Sequence, residues 1–246
     1  VVNVSAIIVT RGNVDLDPIL DSLPNDWECV IWNNGAGYCR VIGTSPGPLG
    51  SQHDVGDLAV YGRYAAIEYA SHDVIYVQDD DCIVSDPQAI VDTLTFLGTC
   101  PTHGPMERAE EKGHAGWVCE HCEPMRFSPD AVVCNQPEPW RSNPFYADHA
   151  LVGFGASFHR DAPDMAFSLM VGGEDIDPPF FTEGWGDVFQ RTCDIVFTGL
   201  TPRVLVDIPH TSFDYASDPD RMWRQPTHQP ERQRMLDLVL QVKRAL

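Results

Sequence analysis

The stretch VIYVQDDDCIV, Val74 to Val84, decides the reading of this chain. Val74 to Val77 is an apolar, β-branched run and predicts a buried strand. It runs into three consecutive carboxylates, Asp79, Asp80 and Asp81. Three neighbouring acids repel one another and are costly to bury without a counter-charge. At the carboxyl end of a central strand a divalent cation resolves that cost. Hard carboxylate oxygens suit Mg²⁺ or Mn²⁺, and such a cation usually also holds substrate phosphates. The ordinary alternative is an acidic turn after an edge strand, so the flanking sequence has to decide.

Upstream, residues 54–70 predict a helix, with Leu58, Tyr61, Ala65 and Tyr69 recurring on one face. Arg63 falls among those apolar positions. It is read either as a surface arginine at the stripe's edge or as an arginine directed at a ligand phosphate. Further back, residues 4–10 predict a first strand that breaks at Arg11-Gly12-Asn13. Residues 17–23 predict a short helix with Pro18 in its first turn. Residues 29–32 predict a second strand ending at Asn33-Asn34-Gly35, and 38–42 a third. In an open parallel sheet, ligands bind just past the carboxyl ends of the strands. Downstream, residues 87–97 predict a helix capped by Asp86, with Pro87 at its first position. Strand and helix alternate through the first hundred residues. That order predicts an α/β fold: one Rossmann-like domain spanning 1–246, with a central mixed, mostly parallel sheet flanked by helices. No G-x-G-x-x-G and no G-x-x-x-x-G-K-[ST] is present, so phosphate is not held by a glycine cradle.

At 246 residues the chain suffices for one sizeable α/β domain, and its 43% apolar content is ordinary. No run is long and apolar enough to span a bilayer, and the apolar start lacks a basic flank and a cleavage site. The expectation is a cytoplasmic protein (host cytoplasm if viral) with no membrane insertion. The net charge of -20 opposes nonspecific binding to nucleic acid or anionic lipid. From 220 to 246 the balance reverses, with Arg221, Arg224, Arg232, Arg234, Lys243 and Arg244 against Asp220, Glu231 and Asp237. That end faces either a phosphate-rich ligand or nothing more than solvent.

Eight cysteines in a chain of this length point to metal ligation or buried thiols rather than disulfides. Cys100-Pro-Thr-His103 and Cys119-Glu-His-Cys122 form two knuckles of tetrahedral Zn²⁺ spacing. The intervening residues are polar and contain Gly104, Pro105, Gly113 and Gly116, too little to bury a core. A structural zinc would explain how such an insertion, placed at 100–134, folds. His114, His121 and Cys134 are alternative ligands.

In the second half, residues 123–144 predict a long irregular connection. Residues 150–159 (ALVGFGASFH) predict a strand interrupted by Gly153 and Gly155, where a ligand or another backbone approaches closely. Asp187 opens a predicted short helix at 187–191 and is read as an N-cap or as a general base. Residues 203–208 predict a strand ending at Pro209-His210. His210 either completes a metal site or is a satisfied loop histidine. Residues 230–246 predict an amphipathic terminal helix.

Taken together, SAIIVTRGN, GRYAAIEYASHDVIYVQDDD, LVGFGASFHR and EGWGDVFQR resemble the nucleotide-sugar glycosyltransferases of the A-type fold. The likeness is to the family-2-like type, phage enzymes among them, and covers most of the chain outside the zinc-like insertion. The resemblance implies a metal-dependent hexosyltransferase with a nucleoside-diphosphate sugar, UDP first, as donor. It implies Thr10, Arg11 and Asn34 near the nucleoside and Arg63 near the base or diphosphate. It implies Asp79 and Asp80 at the donor, with Asp79 on the ribose, and Asp81 on Mn²⁺ or Mg²⁺, with His210 as a further ligand. Gly153, Gly155 and Trp185 would line the donor, and Asp187 would be the base with Glu183 its rival. The usual adjacent Glu-Asp pair before the helix is missing and appears at Glu174-Asp175 instead. Transfer to an acceptor hydroxyl would be a single, inverting displacement. The acceptor is a glycan, a protein, a lipid-linked sugar or a hydroxymethylated DNA base. The competing classes are a Mg²⁺-dependent nucleotidyltransferase or phosphohydrolase, and a noncatalytic zinc-containing binding module.

Overall fold

A computed structural model of the chain describes residues 2–43, 52–97, 99–100, 104–105, 107–108, 117–118, 131–171, 185–213 and 222–246. The first half runs β1 (Val4–Thr10), α1 (Asp17–Leu20), β2 (Glu28–Asn33), β3 (Tyr38–Ile42) and β4 (Gln52–Asp54). It continues through a 3-10 turn at Ala59–Tyr61, α2 (Gly62–Ala65) and a second 3-10 turn at Ala66–Tyr69. Then come β5 (Val74–Asp79), β6 (Cys82–Val84) and α3 (Pro87–Leu97). Four two-residue strands follow: β7 (Thr99–Cys100), β8 (Gly104–Pro105), β9 (Glu107–Arg108) and β10 (Trp117–Val118). The remainder is β11 (Val132–Asn135), β12 (Ala156–His159), α4 (Ala162–Val171), α5 (Trp185–Leu200), β13 (Arg203–Val206), β14 (His210–Ser212) and α6 (His228–Ala245).

The main sheet has eight strands in the order β13-β11-β12-β5-β1-β2-β3-β4. Only β3 and β12 run against the other six, so the sheet is mixed and mostly parallel. Side chains alternate across it as the two-residue strand period requires. Ile7, Ile75, Val77 and Phe158 face α2, α4 and α5, with Tyr64, Ala166 and Phe197 packed on them. Ala6, Ile8, Ile31 and Tyr76 face α1 and α3, with Ile19, Ile90 and Leu94 on that side. A third cluster joins α5 to α6 through Ile195, Val196, Met235 and Val239. The result is a helix–sheet–helix sandwich with the amphipathic α6 added outside α5. Among the described residues no helix is long and apolar enough to cross a membrane.

Several elements match the sequence reading. Helix α3 starts and stops as expected, and Asp86 Oδ1 accepts from the Ala89 N–H at 3.0 Å, an N-cap contact. Others differ. Residues 54–70 do not form one helix. The Asn34 side chain accepts from the Leu58 N–H and donates to the Ala59 carbonyl, each at 3.0 Å, and Ala59 sits at φ +50. A side chain thereby takes backbone groups that a helix would use, and regular winding begins only at Gly62.

The expected irregular connection at 123–144 contains β11, whose apolar Val-Val-Cys run is buried in the sheet interior. The insertion therefore cannot extend to 134, because Cys134 pairs with Ala156 in β12 and Leu205 in β13. The strand read at 150–159 holds only over its last four residues, since 150–155 instead loops around the end of β5. The short helix read at 187–191 is the sixteen-residue α5, which continues to Leu200 because its inner face has apolar contacts on both the sheet and α6. The strand read at 203–208 stops at Val206 as β13, and the separate β14 beyond it pairs with β6.

Candidate active site

The connection from β1 to β2 lies on one side of β1, while β5 pairs with β1 on the other. This reversal creates a crevice at the carboxyl ends of β1 and β5, the place where open α/β sheets bind ligands. Val9 and Asp79 are in-register neighbours on the paired β1 and β5 at its base. Thr10 closes β1, with its hydroxyl accepting from the Gly12 N–H at 3.0 Å. Asp79, Asp80 and Asp81 sit at the other lip.

The turn that carries these acids is held from inside. Gln78 is 2% exposed; it accepts from the Tyr76 hydroxyl at 2.7 Å and donates to the Cys82 carbonyl at 2.8 Å. From outside, the Phe213 N–H donates to the Asp81 carbonyl at 2.7 Å, at the end of the β14–β6 ribbon. The turn is thus pinned on two sides, leaving little backbone freedom. Asp80 is buried and Asp81 half-buried.

Asp79 has the most specific surroundings. Its Oδ1 accepts from Arg63 Nη2 at 2.6 Å, and the Arg63 Nη1 donates to Asp194 Oδ2 on α5 at 3.2 Å. Asp194 Oδ1 also accepts from the Tyr64 hydroxyl at 2.7 Å. The Arg63 side chain is 6% exposed, Asp194 16% and Asp79 42%. Burial works against the Arg63 charge, but Asp194 and then Asp79 outweigh it and raise its pKa. Burial raises Asp194, partly countered by Arg63 and Tyr64.

The loop ahead of β12 covers Asp79. The Asp79 N–H donates to the Gly153 carbonyl at 2.9 Å, and a methyl group on Gly153 would overlap the Asp79 carboxylate. Gly155 adopts φ +99 and packs beneath Tyr76, Ile90 and Val84. Asn135 of β11 fastens this loop to the β13–β14 connection. Its amide donates to the Phe154 and Ile208 carbonyls, each at 3.0 Å, and its oxygen accepts from the Ile208 N–H at 2.8 Å.

The structure thus brings Thr10, Arg63, Asp79, Asp80, Asp81 and Gly153 to one crevice, whereas Gly155 faces the buried Tyr76, Ile90 and Val84. Other expected site residues fall elsewhere. Arg11 is exposed and pairs loosely with Asp57 at 3.7 Å. Asn34 is occupied within its own loop by Trp32, Leu58 and Ala59. His210 stands opposite Val84, three residues along the ribbon from Asp81, with its ring 4.9 Å from Phe154. Asp187 is exposed in the first turn of α5. It lies seven residues before Asp194, hence on the same helix face and about 10 Å further out. Trp185 begins α5, and its side chain lies outside the described residues, as does Glu183.

Of the four expected zinc ligands only the Cys100 backbone is described, paired with Gly104 in the β7–β8 hairpin. His103, Cys119 and Cys122 lie outside the described residues, as do the alternatives His114 and His121. Cys134 is buried in the core, where burial raises its thiol pKa, so it is unsuited to bind a surface metal. Cys82, beside the acidic turn, is pushed up to about 12 by burial and by Asp79 and Asp81, and stays a thiol.

Sequence reading missed Tyr64, Gln78, Asn135 and Asp194. Asp194 had one available signal: an acid amid the apolar run of a helix longer than the one expected. Among the described residues, no three His, Cys, Asp or Glu side chains close into a metal cage. A cation shared with substrate phosphates needs only one or two protein carboxylates, so the chemistry of Asp79 and Asp81 fits that kind of site. Comparison with protein-family models, curated proteins and solved structures finds no match to this chain.

Proposed function

We propose that this chain is a metal-dependent glycosyltransferase that moves a sugar from a nucleoside-diphosphate sugar, UDP first, to an acceptor hydroxyl. The observation that carries this reading is Asp79. It is a half-exposed carboxylate at the crevice between β1 and β5, fixed by buried Arg63 and closely covered by Gly153. An acceptor-only group held so firmly suits the hydroxyls of a ribose or sugar. The pinned turn beside it offers Asp81 to Mn²⁺ or Mg²⁺, a cation whose chemistry is to neutralise a diphosphate leaving group. Thr10 borders the nucleoside side, and Gly153 lets the donor sugar approach backbone.

Asp187 is the proposed base, with Glu183 its rival. Its place on the Asp194 face of α5 directs it along the side of the helix that reaches the crevice, and it takes the acceptor proton during one inverting displacement. His210 has no part in this proposal, because its register sets it away from Asp81. Zn²⁺ at Cys100, His103, Cys119 and Cys122 is proposed as a structural staple of the insertion. The acceptor is a glycan, a protein or modified DNA, and the net charge of -20 favours the first two.

A thermal-shift panel of nucleoside-diphosphate sugars with and without Mn²⁺ tests the reading. A donor at a hundredfold its Kd adds about 2.7 kcal/mol, a rise of about 5 to 10 °C here. A metal-dependent rise for one nucleotide class, lost in Asp81→Asn, supports it. Binding of Mn²⁺ without a shift from any donor overturns it in favour of a phosphohydrolase or a binding module.

A further inference from the structure

We infer that Asp194 sets the charge of the crevice: by neutralising buried Arg63, it leaves the Asp79 charge uncancelled and the strand end one unit more negative, so the site favours a cation-bound diphosphate over a bare anion. This rests on the donor-site reading and makes Asp194 a positioning residue, acting through Arg63.

The geometry separates this role from a simple structural ion pair. Arg63 has two carboxylates, on two of its nitrogens. Asp194 is 16% exposed and lies on the α5 side, whereas Asp79 is 42% exposed and lies on the crevice side. Arg63 Nε is buried and has no hydrogen-bond partner among the described residues. The guanidinium therefore does not reach out to a ligand, contrary to the expectation that Arg63 meets phosphate. What a ligand meets is Asp79, and the charge on Arg63 is felt from behind it. With Asp194 ionised, Arg63, Asp194 and Asp79 sum to minus one. With Asp194 neutral they sum to zero: Arg63 then offsets Asp79, and only the charges of Asp80 and Asp81 remain at the strand end. The other groups acting on Asp194 are the Tyr64 hydroxyl, which donates to it, and the Arg232 charge from α6.

Asp194→Asn is the discriminating variant. Its amide oxygen still accepts from Tyr64 or Arg63, so shape is kept and one charge is lost. Isothermal titration of the full chain with Mn²⁺ alone and, separately, with inorganic pyrophosphate alone reads the effect, and urea unfolding confirms that each variant is folded. We expect Mn²⁺ affinity to fall about tenfold and metal-free pyrophosphate affinity to rise, since removing one negative charge acts with opposite sign on cation and anion. Tyr64→Phe, which keeps the charge and removes one hydrogen bond, should leave both near wild type.

A fall in both affinities, or no change in either, overturns the inference, as does a Tyr64→Phe variant that reproduces Asp194→Asn. So does a wild type that binds neither probe. A wild type that binds both probes but no nucleoside diphosphate overturns the glycosyltransferase reading, while the charge inference is still judged by the opposed shifts.

Discussion

The Gly153 carbonyl accepts from the Asp79 N–H at 2.9 Å, and the same glycine leaves no room for a side chain beside the Asp79 carboxylate. Backbone and side chain of one acid are therefore both set by one residue of a distant loop. Gly153→Ala should displace the Asp79 carboxylate from Arg63 or push the loop outward. The expected result is loss of the metal-dependent thermal shift with a nucleoside diphosphate. Intrinsic stability should change by about 1–3 kcal/mol, as for overpacking. A full donor shift in Gly153→Ala would remove Asp79 from the donor site.

Arg63 is wedged between two carboxylates and is almost wholly buried. Arg63→Met removes the only cation hydrogen-bonded to Asp194 among the described residues. Breaking a buried pair from one side costs about 3–5 kcal/mol, measurable by urea unfolding at pH 7. In the double variant Arg63→Met/Asp194→Leu the loss should be smaller than in Arg63→Met alone, because no uncompensated buried charge remains. Equal losses would mean that the pair's packing, not its charge, carries the stability.

Asn135 ties the Phe154 carbonyl to both the N–H and carbonyl of Ile208. Asn135→Ala removes three part-buried hydrogen bonds and should cost about 2–4 kcal/mol, given the penalty for unsatisfied polar groups. Hydrogen exchange should increase first at the Gly155 and Ile208 amides. Unchanged exchange there would show that the two loops hold their positions independently.

Glu28 stands at the opposite end of the sheet, accepting from Ser5 and from the hydroxyl and N–H of Ser71. Burial raises its pKa, but these bonds outweigh burial and the carboxyl sits below its ordinary value. Its stabilisation is complete above the unfolded pKa and disappears as pH falls through the lower folded one. Urea unfolding of wild type and Glu28→Gln should therefore differ at pH 7 and converge in acid, below about pH 4. A pH-independent difference would contradict this.

His149 has no exposed surface, and its Nδ1 is without a partner among the described residues. Burial first, then Arg232 and Arg203, push its pKa down to about 3. Below about pH 6.5 the unfolded chain binds a proton that the native chain refuses, so stability falls as pH drops toward 3. The slope from this residue reaches about 1.4 kcal/mol per pH unit. His149→Asn should lower overall stability yet flatten the curve between pH 6 and 4. An unchanged slope would show that His149 does not titrate in the unfolding equilibrium.

Much of the frame was legible because it depends on local pattern. The apolar runs of β1, β2 and β5, the Asp86-capped α3 and the amphipathic α6 all advertise themselves through period and capping chemistry. The placement of Asp79 to Asp81 at a strand end followed directly. The short β11 was hidden, because three apolar residues between polar and proline-rich segments carry too little periodic signal. The run 54–70 misled for the opposite reason: its spacing is helical, but the Asn34 side chain claims its backbone groups at Leu58 and Ala59.

By itself, the sequence determined the alternating α/β order, the acidic strand end and the glycines that must lie close to something. The tertiary structure alone decided what they lie close to. Arg63 and Asp194 are 131 positions apart, Asn135 and Ile208 73. No local rule links residues at such separations, since only packing of helices on both faces of a twisted sheet brings them within hydrogen-bond reach. A lone arginine in an apolar stripe reads equally well as surface or ligand contact. Its actual position, charged and buried behind Asp79, depends on a carboxylate contributed by another helix, and that is a property of the assembled core.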